Sequence, residues 1–240
     1  MRLRGGVEHW DEVYLRFRRP GGFEQPGPWT FAGYHSHLAR HFYTKHELIR
    51  FGSKPFLLVT SEDQEAGVGW RGVSQDWLDL TAAKLEPVFG LSVETSDSGV
   101  PNRIALHSSG SVVSLESTPV ERITVACEVT FEYPFPAWPD NLGSRSAEAV
   151  YTRRGGEFVF DATLSKTRKI EIDKFCSFNT EQRPSNEDLL RYTLPQLEKL
   201  AAGANGERKE WLKGFLAQCG NTPEKREIQA ILSRPMPKGK

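Results

Sequence analysis

From Glu12 to Arg18 the chain alternates: Val13, Leu15 and Phe17 are apolar, with Tyr14, Arg16 and Arg18 between them. That period of two predicts a half-buried β-strand. Arg19-Pro20-Gly21-Gly22 breaks it, and a loop rich in Pro, Gly and aromatics runs to Ala32. Over residues 35–51 the period changes. Leu38, Phe42 and Ile49 fall on one stripe at about 100° per residue, which predicts an amphipathic helix ended by Gly52. Phe56–Thr60 is a short apolar run, expected as a buried strand, and 61–65 is a polar, acidic connector. Ser74 can cap a second helix carrying Trp77, Leu78, Leu85 and Val88, with Pro87 and Gly90 near its end.

From Leu91 onward, short alternating runs are split by turn residues. The expected strands are Leu91–Ser96, Arg103–His107, Ser111–Ser117, Arg122–Tyr133, Glu148–Arg154, Glu157–Thr163 and Lys169–Phe175. Gly155-Gly156 is a two-residue hairpin signal, and Tyr133–Pro139 is too rich in proline for a sheet interior. After Pro184 the pattern is helical. Ser185 or Asn186 can cap a segment holding Leu189, Leu190, Leu194, Leu197 and Leu200, kinked at Pro195. Trp211, Leu212, Phe215 and Leu216 line the next helix, and Thr222-Pro223 opens a last one. The expected fold class is α+β: an antiparallel meander of about seven strands over 91–175, packed with N-terminal helices and a C-terminal helical segment. The expected organisation is an α+β unit over 1–180, with residues 181–240 packed on it as one structural domain.

Composition narrows the function classes. The chain is 38% apolar and 26% charged, as folded globular proteins are. No apolar run approaches the ~18–20 residues that span a bilayer, and the N-terminus lacks a signal peptide's apolar stretch. Neither a membrane role nor export is expected. Cys127, Cys176 and Cys219 lie far apart and leave one unpaired in any disulfide scheme, so a reducing, cytoplasmic setting is expected. Net charge is zero, yet residues 1–60 hold nine Lys/Arg against five Asp/Glu, and five of the six histidines.

His35, His37, His41 and His46 crowd into twelve residues. On the expected helix they divide. His35 and His46 share one shoulder of the apolar stripe but stand about 16 Å apart along the axis. His37 and His41 share the other shoulder at i, i+4, close enough to act together or to bind one ion. Gly67-Val-Gly-Trp-Arg-Gly72 matches the dinucleotide fingerprint GxGxxG. However, an acidic connector separates it from its strand, and hairpins follow where βαβ units are needed. Asp161 and Glu171-Ile-Asp-Lys174 miss the acid-x-Lys spacing of restriction-type nucleases. Trp10, Trp29, Phe31 and Tyr34 lie among Arg16, Arg18, Arg19 and Arg40, a mixture suited to protein interfaces or to stacked bases.

The order strand, helix, helix, meander, terminal helix resembles the helix-grip folds. An early strand followed by a His-bearing helix resembles CRISPR repeat-cleaving endonucleases, whose glycine-rich C-terminal loop is missing here. Neither resemblance carries residues over. The reading is a non-catalytic intracellular binding protein whose partner is another macromolecule, first of all a protein. Nucleic acid is the second candidate, through the basic, aromatic first sixty residues. Contact residues expected are Trp29, Arg40, Trp70, Arg71 and Trp138, with no cofactor and no metal. The alternative is a hydrolase or RNA nuclease using His37 and His41 for acid–base or metal chemistry. A third is a ligand pocket between meander and helices.

Overall fold

Eleven strands and then five helices make up the computed structural model, which describes residues 2–5, 9–18, 28, 30–39, 41–65, 69–97, 102–134, 141–176, 184–204 and 206–234. A three-stranded antiparallel sheet is formed by β1 (Arg2–Gly5), β2 (His9–Arg18) and β3 (Thr30–Ala39). An eight-stranded antiparallel meander follows in chain order. Its strands are β4 (His41–Phe51), β5 (Lys54–Glu65), β6 (Trp70–Asp79), β7 (Pro87–Asp97), β8 (Ala105–Glu116), β9 (Arg122–Glu132), β10 (Gly143–Arg154) and β11 (Glu157–Phe160). The helices are α1 (Lys169–Cys176), α2 (Asn186–Tyr192), α3 (Leu194–Gly203), α4 (Gly206–Gln218) and α5 (Pro223–Ser233).

The meander folds back on itself at one weak joint. β7 and β8 pair only from Glu94↔Ser109 to Asp97↔Leu106. Elsewhere the two strands part, so β4–β7 form one layer and β8–β11 the other. Aromatic contacts cross between the layers: Phe51 stacks on Phe158 at 6.1 Å, and Phe89 meets Phe158 at 6.0 Å and Tyr151 at 5.1 Å. Phe56, Leu58, Trp77 and Leu91 complete this core from one side, and Ile123, Val125 and Ala149 from the other. Burying each such side chain contributes about 1.5–3 kcal/mol.

Strand β9 is the spine shared by two cores. Ile123, Val125 and Cys127 face the interlayer core. Val129 and Phe131, two and four residues on and so on the same face, pack with Leu189, Leu197, Trp211, Phe215 and Ile228 of the helices. Helix α1 bridges both cores, with Ile172 in the first and Phe175 in the second. A third cluster lies on the outer face of β5 and β6, where Val59, Leu78 and Leu85 receive Tyr14 of the small sheet.

The helices of the described residues all fall within 169–233, none of them N-terminal. This overturns the two expected N-terminal helices. Residues 35–51 form parts of β3 and β4, and 74–90 form the end of β6, a turn and the start of β7. For 74–90 the cause is burial on both faces, whereas in β4 Leu48 is 71% exposed and Ile49 only partly buried, so the apolar residues there do not mark one buried face. Leu58 and Trp77 point into the interlayer core, while their neighbours Val59 and Leu78 point toward the small sheet. Adjacent apolar residues then hide the strand period. The helix-grip and endonuclease resemblances rested on those helices and go with them.

The opposite error falls on Lys169–Phe175, expected as a strand and found in α1. Ile170 and Ile172 imitate alternation, but Ile170 is exposed and the buried pair is Ile172 and Phe175 at i, i+3. Lys169–Asp173 and Arg168–Glu171 ion pairs at 2.6 and 2.7 Å fit the helical spacing. Residues 91–175 thus carry β7–β11 and α1, and Arg103–His107 and Ser111–Ser117 merge into β8. The Gly155-Gly156 hairpin is present, with φ of 62° and 110°. So are the C-terminal helices: Ser185 caps α2 in a capping box, and Pro195 opens α3 after a break at Thr193.

Candidate functional site

The small sheet presents the most unusual surface. Alternation places Tyr14 and Arg16 against the body of the protein and turns Leu15 and Phe17 outward, the reverse of the face expected to be buried. Across the ladder Leu15 pairs with Tyr34 and Phe17 with Phe31. These four side chains are 46%, 63%, 50% and 56% exposed respectively, and Phe17 and Phe31 meet edge to face at 5.8 Å. The result is an apolar, mostly aromatic patch on the outer face of an antiparallel pair. Apolar patches of this kind on a folded surface mark contact sites.

What holds that face in place is Arg16. Its guanidinium donates to the carbonyls of Leu80 at 3.2 Å, Ala82 at 2.5 Å and Ala83 at 2.8 Å, in the turn between β6 and β7. It also donates to Ala32 of β3 at 3.1 Å. Tyr14 adds a second tie, its hydroxyl 2.7 Å from Nε2 of His46 on β4, with the rings edge to face at 5.4 Å. His46 therefore joins the two sheets.

Placement in strands dissolves the helical pairing of His37 and His41. His37 lies on β3 opposite Glu12, whereas His41 lies on β4 opposite Asp63, in the other sheet. The side chains of both lie outside the described residues. Among the described residues no group of three or more His, Cys, Asp or Glu side chains has metal-binding geometry. Trp29, Arg40 and Trp138 lie outside the described residues as well. Trp70 opens β6 and is buried, 4% exposed. Arg71 beside it is clamped by Glu62 at 2.7 Å and Glu94 at 2.8 Å. Its hydrogen bond to Glu62 and the charge of Glu94 raise its pKa. Of the GxGxxG segment, Trp70, Arg71 and Gly72 lie on β6, paired with Glu65, Gln64 and Asp63 of β5, in a strand where a dinucleotide fingerprint would open a helix.

A second feature sits at the parting of the layers. A cavity of about 560 Å³ lies between the inner face of β4–β7 and the free stretch of β8, lined by Leu58, Gln75, Trp77, Leu91, Val93 and Val112, among others. No sequence signal pointed to it, because the lining comes from five strands, each contributing one to six residues. The described cysteines differ from one another in state. Cys127 is disulfide-bonded. Cys219 is a buried free thiol, which burial and then the charge of Glu187 push up to about 11.

The fold thus defines an α+β class of protein: a folded-over antiparallel meander, a C-terminal helical layer and a small sheet stapled to its outside. Compared with models of protein families, with curated proteins and with solved structures, the chain matches none.

Proposed function

We propose that the chain is a non-catalytic binding protein that recognises another protein through the outer face of its small sheet. The observation that carries this reading is the exposure, side by side, of Leu15, Phe17, Phe31 and Tyr34. Aromatic side chains offer large contact areas at low entropic cost and dominate interface energetics. The sheet that presents them is held from behind by the three bonds of Arg16 to the carbonyls of Leu80, Ala82 and Ala83, and such preorganisation favours affinity.

The test is cross-linking capture with the tagged chain, run beside a Phe17→Ser/Phe31→Ser double variant. Both side chains are exposed, so the variant keeps the wild-type melting temperature. Affinity for the captured protein is expected to fall about 30-fold or more, as for loss of an aromatic anchor worth ~2 kcal/mol. Capture unchanged by the double substitution overturns the reading. Capture abolished by nuclease treatment overturns it in favour of nucleic acid.

A further inference from the structure

We propose that the cavity at the parting of β7 and β8 is a binding site for an uncharged apolar small molecule, of the size of a single aliphatic chain. The site is separate from the aromatic face of the small sheet and does not depend on it. Its volume of about 560 Å³ lies in the range of small-molecule pockets, roughly 300–1,000 Å³.

The architecture of the joint creates the site. Gly110 is the pivot: a Cβ there would stand 2.2 Å from the Ser92 carbonyl oxygen. Only glycine lets β8 lie this closely on β7 at the last point of contact. Beyond it β8 remains paired with β9 but leaves β7, and it arches over the inner face of β4–β7. At the far end Ser117 Cβ is 3.0 Å from the position of a Cβ on Gly52, in the β4–β5 turn. The arch is thus closed at both ends and open between them.

The lining fixes the ligand's chemistry. Trp77 and Leu58 form the floor with Leu91 and Val93, and Val112 and Leu115 face them from the arch. None of the described residues lining the cavity is charged, so a buried carboxylate or ammonium would be left without a partner at a large desolvation cost. The Gln75 carboxamide on the floor is already engaged. Its oxygen accepts from Trp77 Nε1 at 2.9 Å and its nitrogen donates to Thr60 Oγ1 at 3.2 Å. Val113 and Leu115 at the rim are exposed and give the mouth an apolar lip. The ligand that fits is one that is uncharged throughout and lies along the partly exposed Ile49, Val93 and Val112, as a fatty alcohol or ester can.

The experiment is a fluorescence titration of the full chain with N-phenyl-1-naphthylamine, a neutral apolar probe, followed by competition with hexadecanol and with palmitate. Saturable binding of one probe per chain is expected, displaced by hexadecanol at concentrations at least tenfold below those needed with palmitate. Val112→Phe fills the cavity and is expected to weaken probe binding at least tenfold. Leu115→Asp, at an exposed rim position, brings a carboxylate to the mouth and keeps the test decisive if the filled variant does not fold. The Phe17→Ser/Phe31→Ser protein is expected to bind the probe normally. Any of four results overturns the proposal: no saturable binding, full binding in the folded cavity variants, palmitate competing as well as the alcohol, or loss of binding in the Phe17/Phe31 protein.

Discussion

Asp161 shows how a residue that reads as chemistry can be architecture. Its carboxylate accepts from the Thr163 hydroxyl at 2.6 Å and amide at 3.1 Å, from the Thr152 hydroxyl at 3.0 Å and from Arg154 at 3.3 Å. The Thr163 hydroxyl, then that of Thr152, hold its pKa at about 2. The same Asp-x-Thr turn recurs at Asp79, where Thr81 donates through its amide at 2.7 Å and its hydroxyl at 2.6 Å. Both are Asx-turn sequences, but the pattern along the chain placed Asp79 in the helix expected after Ser74 and Asp161 in the strand expected over Glu157–Thr163. Unfolded, an aspartate titrates near 4. The stability contributed by Asp161 is therefore complete above about pH 4 and is lost as pH falls through about 2. Asp161→Asn is expected to lower the melting temperature at neutral pH and to flatten the decline between about pH 4 and pH 2. Thermal unfolding of both proteins across that range checks it, and parallel curves would place the acid sensitivity elsewhere.

At the scale of elements, the chain announced several strands with one buried face and concealed both β6, packed on two sides, and β4, whose Leu48 is exposed. β2, β9 and β10 were readable from alternation or length, and the C-terminal helices from capping and apolar spacing. β5 and β6 were not fully readable, because Leu57-Leu58-Val59 and Trp77-Leu78 fill two cores at once. In β2 the alternation located the strand but not its buried face. A period of two is silent on which side meets the protein, and the side that does is the one carrying Arg16. The long aliphatic stem and five donors of arginine suit it to a buried cluster of carbonyls, which local sequence does not reveal. Arg16→Ala leaves the carbonyls of Leu80, Ala82 and Ala83 without this donor, and hydrogen bonds to charged groups contribute about 1.5–3 kcal/mol each. A loss of roughly 3 kcal/mol is expected if the small sheet unfolds with the rest of the chain. If it instead detaches alone, amide exchange in β2 and β3 accelerates while that in β9 does not. Unchanged exchange and an unchanged denaturation midpoint would show that the staple contributes nothing.

On the scale of the whole molecule the weak β7–β8 joint poses a mechanical question: what keeps the two layers closed at the end remote from it? The answer is an ion network centred on Arg153 of β10. It donates to Asp79, at the end of β6, at 2.5 Å and to Glu121 at 3.1 Å, and Lys54 of β5 reaches Glu121 at 2.7 Å. The guanidinium also lies over Phe56 and Phe158, one ring from each layer, at 5.8 and 5.6 Å. Asp79 is 1% exposed. Burial alone would raise its pKa, but the Thr81 bonds and Arg153 outweigh it and hold the carboxyl below its ordinary value. Removing one partner of such a buried pair costs about 3–5 kcal/mol, because the other charge is left stranded. Arg153→Met is expected to fall in that range at neutral pH, and Asp79→Asn combined with it to recover part of the loss. Acidification distinguishes this electrostatic latch from simple packing. A lowered folded pKa means that the wild-type pairing is fully present above the unfolded value near 4 and is lost below it. The stability gap between wild type and Arg153→Met therefore narrows as pH falls below about 4. Denaturant midpoints of the two proteins at neutral and acidic pH measure that gap. A gap independent of pH would assign the closing of the layers to the cation's packing on Phe56 and Phe158 alone.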